Sequence, residues 1–167
     1  MIHELKIYVD MDGVLSDFEK RFEQLTYTIP SYSRDNKFGI GWRKMVDGGH
    51  FADLDLYPGA LELVDYLKTI KNAEIALLTS SGGFADHNSV LKQKLAWLKN
   101  NQIDFAAIVV PGKGLKRGFA RPTSILIDDT PENVNEFKDA GGIGILHTSA
   151  KQTIKELEEL GVCLTKK

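Results

Sequence analysis

Leu5-Lys6-Ile7-Tyr8-Val9-Asp10-Met11-Asp12-Gly13-Val14-Leu15 is the stretch whose reading decides the fold. Its first half is β-type, with branched Ile7 and Val9 around aromatic Tyr8. It then sets two carboxylates two residues apart, with a glycine directly after them. A strand that ends at Asp10 must turn at Gly13, so both acids stand at the carboxyl end of a strand, where open α/β sheets bind ligands. Two neighbouring acids repel each other in an apolar setting unless a proton or a cation neutralises them. A divalent metal is the natural partner.

Outward from this stretch, strand and helix alternate. Residues 16–28 carry Phe18, Phe22 and Leu25 at helical spacing, with Ser16 or Asp17 as cap and Pro30 as stop. Residues 30–57 read as irregular, broken by Gly39, Gly41, Gly48 and Gly49, with Phe38, Trp42 and Phe51 scattered between. An irregular insert so close to the first acids predicts a binding loop or lid, whose aromatics either fill a small core or stack on a ligand. Pro58-Gly59 opens a helix to Ile70, with Leu61, Val64, Leu67 and Ile70 on one face. Residues 73–79 form a nearly all-apolar strand, as expected of one covered on both sides, and run into Thr79-Ser80-Ser81-Gly82-Gly83. A helix over 88–100, apolar at Val90, Leu91, Leu95 and Leu98, precedes a strand at 105–110 that Pro111-Gly112 stops. The basic loop Lys113-Gly114-Leu115-Lys116-Arg117-Gly118 leads to the apolar strand Ser124-Ile125-Leu126-Ile127-Asp128-Asp129, again ending in paired acids. Thr130-Pro131-Glu132-Asn133 starts a helix that ends near Ala140. A strand at 143–146 and a helix at 149–160, with Ile154, Leu157 and Leu160 inward, complete the chain. The alternation predicts a parallel sheet with helices on both faces.

Composition sets the bounds. A chain of 167 residues, 43% hydrophobic and 26% charged, suits one globular domain with a sizeable core. The net charge of -2 removes the simplest argument for a nucleic-acid partner, and no apolar run reaches the length of a membrane span. The expectation is a soluble, cytoplasmic protein. The lone Cys163, beside Val162 and Leu164, has no partner for an internal disulfide and reads as a packing residue.

Three strands thus end in chemically loaded loops: Asp10/Asp12, Thr79/Ser80 and Asp128/Asp129, with Lys113 and Lys116 upstream of the last. In a parallel sheet these ends share one edge. Any one acid pair reads as a cap or a solvated turn; the coincidence of all three carries the functional reading. Facing carboxylates suit Mg²⁺, a hard cation that takes oxygen ligands. A hydroxyl-rich loop with a lysine suits a phosphate. Together they describe phosphoryl transfer, for which an aspartate serves as nucleophile.

Asp10-Met11-Asp12-Gly13-Val14, Thr79-Ser80, a lysine and Asp128-Asp129, in this order, resemble the motifs of the haloacid dehalogenase superfamily. The helical insert after the first motif, the stretch from Lys94 to Trp97-Leu98, and Ile127-Asp128-Asp129-Thr130-Pro131-Glu132-Asn133 resemble its 5'(3')-deoxyribonucleotidase family. The resemblance implies a Rossmann-like three-layer α/β sandwich around a parallel sheet, as a single domain over 1–167 with core 1–15 and 58–167 and a small helical cap at 16–57. It implies that Asp10 attacks phosphorus and that Asp12 acts as acid and then base. Mg²⁺ would be held by Asp10, the Asp12 main-chain carbonyl and Asp128, with Asp129 close behind. Thr79, Ser80 and Lys116 would bind the phosphoryl group, Lys113 being the alternative lysine. Many relatives have proline after the Thr-Ser pair where this chain has Ser81-Gly82-Gly83, so that loop's contacts are not carried over.

The reading is a Mg²⁺-dependent phosphomonoesterase acting on a small phosphate ester, a nucleoside or deoxynucleoside monophosphate, with Phe18, Phe22, Phe38 or Trp42 available to stack on a base and Lys113 to reach the substrate. A sugar phosphate or a polynucleotide 3'-phosphate is the alternative within the same chemistry. A phospho-acceptor signalling module or a silent binding domain is the alternative from another class; Asp12, a second acid placed for hydrolysis, argues against the first, and the presence of every required side-chain type against the second.

Overall fold

In the computed structural model, residues 5–28, 30 and 36–162 are described; Cys163 lies outside them. Five parallel strands form one sheet: β1 (Leu5–Val9), β2 (Ala73–Ser80), β3 (Ala106–Val110), β4 (Ser124–Asp128) and β5 (Ile143–Leu146), in the order β3-β2-β1-β4-β5. β1 lies at the centre, with Val9 level with Leu77 of β2 and with Ile127 of β4. The chain runs outward to β3 and then returns to β4 on the other side of β1, which makes the crevice beyond β1 and β4 the topological switch point.

Period-two alternation buries both faces. Ile7, Val9, Leu77, Ile125 and Ile127 join a large apolar cluster with Leu63, Val64 and Leu67 of α3 (Ala60–Lys68), Val90, Trp97 and Leu98 of α4 (His87–Asn100) and Leu157 of α6 (Ala150–Glu159). In between, Tyr8, Ala76, Leu78 and Leu126 meet Phe137 of α5 (Pro131–Asp139) and Phe119 on the opposite face. Phe119 ends a 3-10 segment, Lys113–Phe119, where the sequence reads as a basic loop.

Most of each helical face is buried as its spacing predicts, with one residue out of place on each of three. Leu61 and Leu160 are about half exposed, while Leu63 is buried beside Val64 and Leu67, and Leu157 lies inward as expected. On α4, Leu95 faces outward and Lys94 takes the buried position.

Between β1 and α3 lies a helical insert. Its helix α1 spans Phe18–Thr26, where Asp17 accepts from the Lys20 N–H as N-cap. The stretch expected to be irregular contains a regular helix, α2 (Asn36–Asp47), and a short 3-10 turn, His50–Ala52. Of the glycines that suggested a loop, Gly41 serves packing: a Cβ there would stand 2.4 Å from Phe22 Cζ, so it lets α1 and α2 approach closely. Phe22, Met45, Val46, Phe51 and Leu54 of the insert join the large cluster, so insert and body share one core. The two chain crossings run side by side, with the Asp17 N–H donating to Asp55 O at 2.9 Å and the Tyr57 N–H to Leu15 O at 2.8 Å. No helix among the described residues is long and apolar enough to cross a membrane.

Candidate active site

Asp10 leaves β1 at the switch point, held by its N–H to Ile127 O at 2.9 Å, and its Oδ1 accepts from the Met11 N–H at 2.8 Å. Lys116, from the 3-10 segment, is 2% exposed and reaches Asp10 Oδ1 at 2.9 Å and Asp128 Oδ2 at 2.7 Å. Asp128 ends β4 fully buried. Its Oδ1 accepts from the Thr130 N–H at 2.9 Å, and Asn133 Nδ2 donates to both its oxygens at 3.1 Å. The Thr130 side chain makes no capping bond, so Asp128 supplies the acceptor at the start of α5.

Charge in this cluster is unbalanced toward the acids. Burial works to lower the Lys116 ammonium, but Asp10 and Asp128 outweigh it and hold its pKa above the usual lysine value. Burial and the Asp10 charge raise Asp128 above the ordinary carboxylate range, against the pull of Lys116. Asp129 is exposed over part of its surface, yet its carboxyl lies where a Cβ on Gly13 would be, 2.1 Å from Oδ2. Desolvation there, with the charges of Asp10 and Asp128, pushes Asp129 up to about 7.

Asp10, Asp128 and Asp129 each bring a carboxylate oxygen within 4.8 Å of the other two. Hard oxygen donors around an excess of negative charge fit a divalent cation such as Mg²⁺. The Asp12 carboxyl is not part of this group. It points instead to Ser16, whose Oγ donates to Oδ1 at 2.9 Å, and to Lys94, whose Nζ donates to Oδ2 at 2.7 Å. Lys94 also donates to Thr79 Oγ1 at 2.6 Å. Ser80 takes the Gly82 N–H at 3.1 Å, and the buried Ser81 links to His87 Nδ1 at 2.8 Å. His87 thus braces the loop after β2.

Asp10, Asp12, Thr79, Ser80, Lys116 and Asp129 line a cleft of about 410 Å³, together with Lys113 and with Phe18, Pro30, Phe38 and Trp42 of the insert. Of the four rings proposed from sequence for contact with a ligand, Phe22 is excluded: it is fully buried, 5.6 Å from Phe18 and 5.5 Å from Phe38, and acts as their support. Trp42 stacks on Phe38 at 6.3 Å and donates through Nε1 to Asp86 Oδ2 at 2.8 Å; Arg43 donates to Asp86 Oδ1 at 2.7 Å. The bond from Trp42 holds Asp86 below the usual carboxylate range, with burial opposing it.

Asp10, Asp12, Thr79, Ser80, Lys113, Lys116 and Asp129 therefore line one cleft, with the buried Asp128 bound to Lys116, and it is Lys116 that pairs with Asp10 and Asp128. Sequence reasoning passed over Lys94, Asn133, Ser16 and Asp86 as site residues. Lys94 had a visible signal: Val90, Lys94, Trp97 and Leu98 follow the i, i+4, i+7, i+8 spacing of one helical face. Asn133 and Ser16 stand four or five residues after the acids they bind, and the sequence reading placed them only at a helix start and a cap.

The fold places the chain in a class, that of haloacid dehalogenase-like folds. The solved structures it resembles include a hydrolase from Streptococcus pneumoniae TIGR4, at 16% identity over 93% of this chain and 98% of that one, with TM-score 0.57. They also include a putative haloacid dehalogenase-like hydrolase from Burkholderia xenovorans LB400, at 12% identity over 94% and 98%, with TM-score 0.56. L-2-haloacid dehalogenase from Xanthobacter autotrophicus matches at 14% identity over 96% and 84%, with TM-score 0.54. At these identities the likeness is one of fold. Among curated proteins no relative was found. The family profile decides the rest: residues 4–159 match the 5' nucleotidase, deoxy (pyrimidine), cytosolic type C protein family, and the chain belongs to it. It is a phosphoric monoester hydrolase of the 5'-nucleotidase type.

Proposed function

We propose that the protein hydrolyses nucleoside monophosphates, with deoxyribonucleotides as the preferred class, in a Mg²⁺-dependent reaction through an aspartyl-phosphate. The observation that carries this reading is the ion-paired Asp10–Lys116–Asp128 set at the base of a cleft whose roof is aromatic. The insert 16–57 acts as the cap that closes the cleft.

In this reading, Asp10 attacks phosphorus in line with the leaving ester oxygen. Thr79, Ser80 and Lys116 receive the phosphoryl oxygens, and Lys116 offsets their charge. Asp12 gives a proton to the leaving alcohol and then takes one from the water that hydrolyses the aspartyl-phosphate. Asp10, Asp128 and Asp129, with the Asp12 main-chain carbonyl, would hold Mg²⁺, and the ion supplies charge neutralisation between nucleophile and phosphate. Phe18, Phe38 and Trp42 offer apolar faces of the size of a nucleobase, while Lys113 reaches the substrate from the border.

A panel of phosphate esters with Mg²⁺ tests this. Nucleoside monophosphates are expected to exceed simple sugar phosphates in kcat/KM by at least about tenfold; equal turnover would remove the nucleotide assignment. Asp10→Asn is expected to abolish turnover of every ester with the melting temperature nearly unchanged. Retained activity would refute Asp10 as nucleophile.

A further inference from the structure

Lys94 is a buried cation that the steps above leave without a role. It is 1% exposed, inside the apolar face of α4. Its ammonium donates to Asp12 Oδ2 at 2.7 Å and to Thr79 Oγ1 at 2.6 Å, and it stands 5.5 Å from the centroid of the Phe51 ring. These three partners come from the turn after β1, the end of β2 and the insert. A buried ammonium is costly to keep, and an apolar residue at the same place would simply extend the core. What the cation adds is position. With Ser16 Oγ on Oδ1 at 2.9 Å and Lys94 on Oδ2, the Asp12 carboxyl is held at both oxygens. The neighbouring Gln93 donates to Val46 O at 2.9 Å and accepts from the Phe51 N–H at 3.0 Å, so α4 grips the insert beside Lys94.

We propose that Lys94 is a positioning residue: it aims the Asp12 carboxyl at the oxygens that gain and lose protons, fixes the Thr79 hydroxyl toward the phosphoryl group, and ties both to the insert through Phe51. The inference rests on the role of Asp12 given above. In the first step an Asp10 oxygen bonds to phosphorus, the ester P–O bond breaks, and the Asp12 proton goes to the leaving oxygen. In the second, water oxygen bonds to phosphorus, the Asp10–phosphorus bond breaks, and a water proton returns to Asp12. The sum is the addition of water across the ester. A leaving group as good as p-nitrophenolate needs no proton in the first step, whereas every substrate needs Asp12 in the second. A misplaced Asp12 therefore stalls the enzyme as its aspartyl-phosphate.

Lys94→Met and Lys94→Arg are compared with the wild type in Mg²⁺ buffer, using a deoxynucleoside monophosphate in the steady state and p-nitrophenyl phosphate by stopped flow. Lys94→Met is expected to lose about 100-fold in kcat, the scale of general acid–base catalysis, with KM changed less than about threefold. It should release p-nitrophenol in a burst approaching one equivalent per enzyme before the slow steady state. Lys94→Arg should recover about a tenth of wild-type kcat and show the same burst. A kcat within about threefold of wild type, or a loss without a burst and with KM rising in step, overturns the proposal. If Lys94→Met does not fold, Lys94→Arg is judged by the same two criteria. A wild type that cleaves p-nitrophenyl phosphate but no nucleotide removes the substrate assignment while the burst still decides on Lys94. A wild type inert toward both removes the hydrolytic reading and this one with it.

Discussion

At Asp129, desolvation and the charges of Asp10 and Asp128 hold a proton up to about pH 7, and stability should depend on pH accordingly. Below the unfolded value of 3.8 both states carry the proton. Between 3.8 and about 7 only the folded state keeps it, so the unfolded state gains by ionising and stability falls as pH rises; above about 7 the effect is constant. His147 has the opposite slope, since burial lowers its pKa from 6.5 and favours folding as pH rises toward that value. The comparison of wild type with Asp129→Asn isolates the first effect. In metal-free buffer the melting temperature of wild type relative to the variant should drop from pH 5 to 7.5, and Mg²⁺ should reverse the drop while releasing protons. Lys116 belongs to the same balance. Lys116→Met leaves Asp10 and Asp128 facing each other without a cation, for an expected loss of about 3 kcal/mol at neutral pH by denaturant unfolding, partly recovered with Mg²⁺.

Among the elements, the loop after β2 and helix α2 form a matched pair. Gly82 has φ 78° and a Cβ there would stand 2.4 Å from the distal edge of the Trp42 indole, so the glycine both makes the turn and seats the ring. Asp86, four residues on, fixes the same ring through Nε1. Gly82→Ala is expected to cost about 1–2 kcal/mol from backbone strain alone. By displacing Trp42 from the cleft it should also raise KM for nucleotides more than for p-nitrophenyl phosphate. Equal changes in the two KM values would mean that Trp42 contributes no contact with the base.

For the molecule as a whole, the sheet order brings three loop ends together at one switch point and the insert then covers them from above. Mg²⁺ binding only the folded arrangement should stabilise it by mass action, about 2.7 kcal/mol at 100 times Kd. In thermal melts this should appear as a rise of several degrees in wild type. Asp128→Ala, which removes a proposed ligand and leaves Lys116 with Asp10 alone, should abolish most of the rise and shift the Mg²⁺ dependence of activity to higher concentration. An unchanged metal titration in that variant would count against ligation by Asp128.

Sequence by itself determined the alternation of strand and helix, the parallel sheet and the candidates Asp10, Asp12, Thr79 and Asp128, with Lys113 or Lys116 as the lysine, because these signals are local: β-branched runs, apolar periodicity and glycine or proline stops beside polar groups. The tertiary structure decided what depends on partners distant in the chain. It made a helix of residues read as irregular, since Gly41 gains its meaning only against Phe22 of another helix. It withdrew Phe22 from the cleft, joined Asp129 to the acid group, and turned Asp12 toward Lys94, a residue 82 positions away. The helical spacing sets Lys94 on an apolar face, but the carboxylate and hydroxyl that make its burial tolerable are brought to it only by the folded sheet.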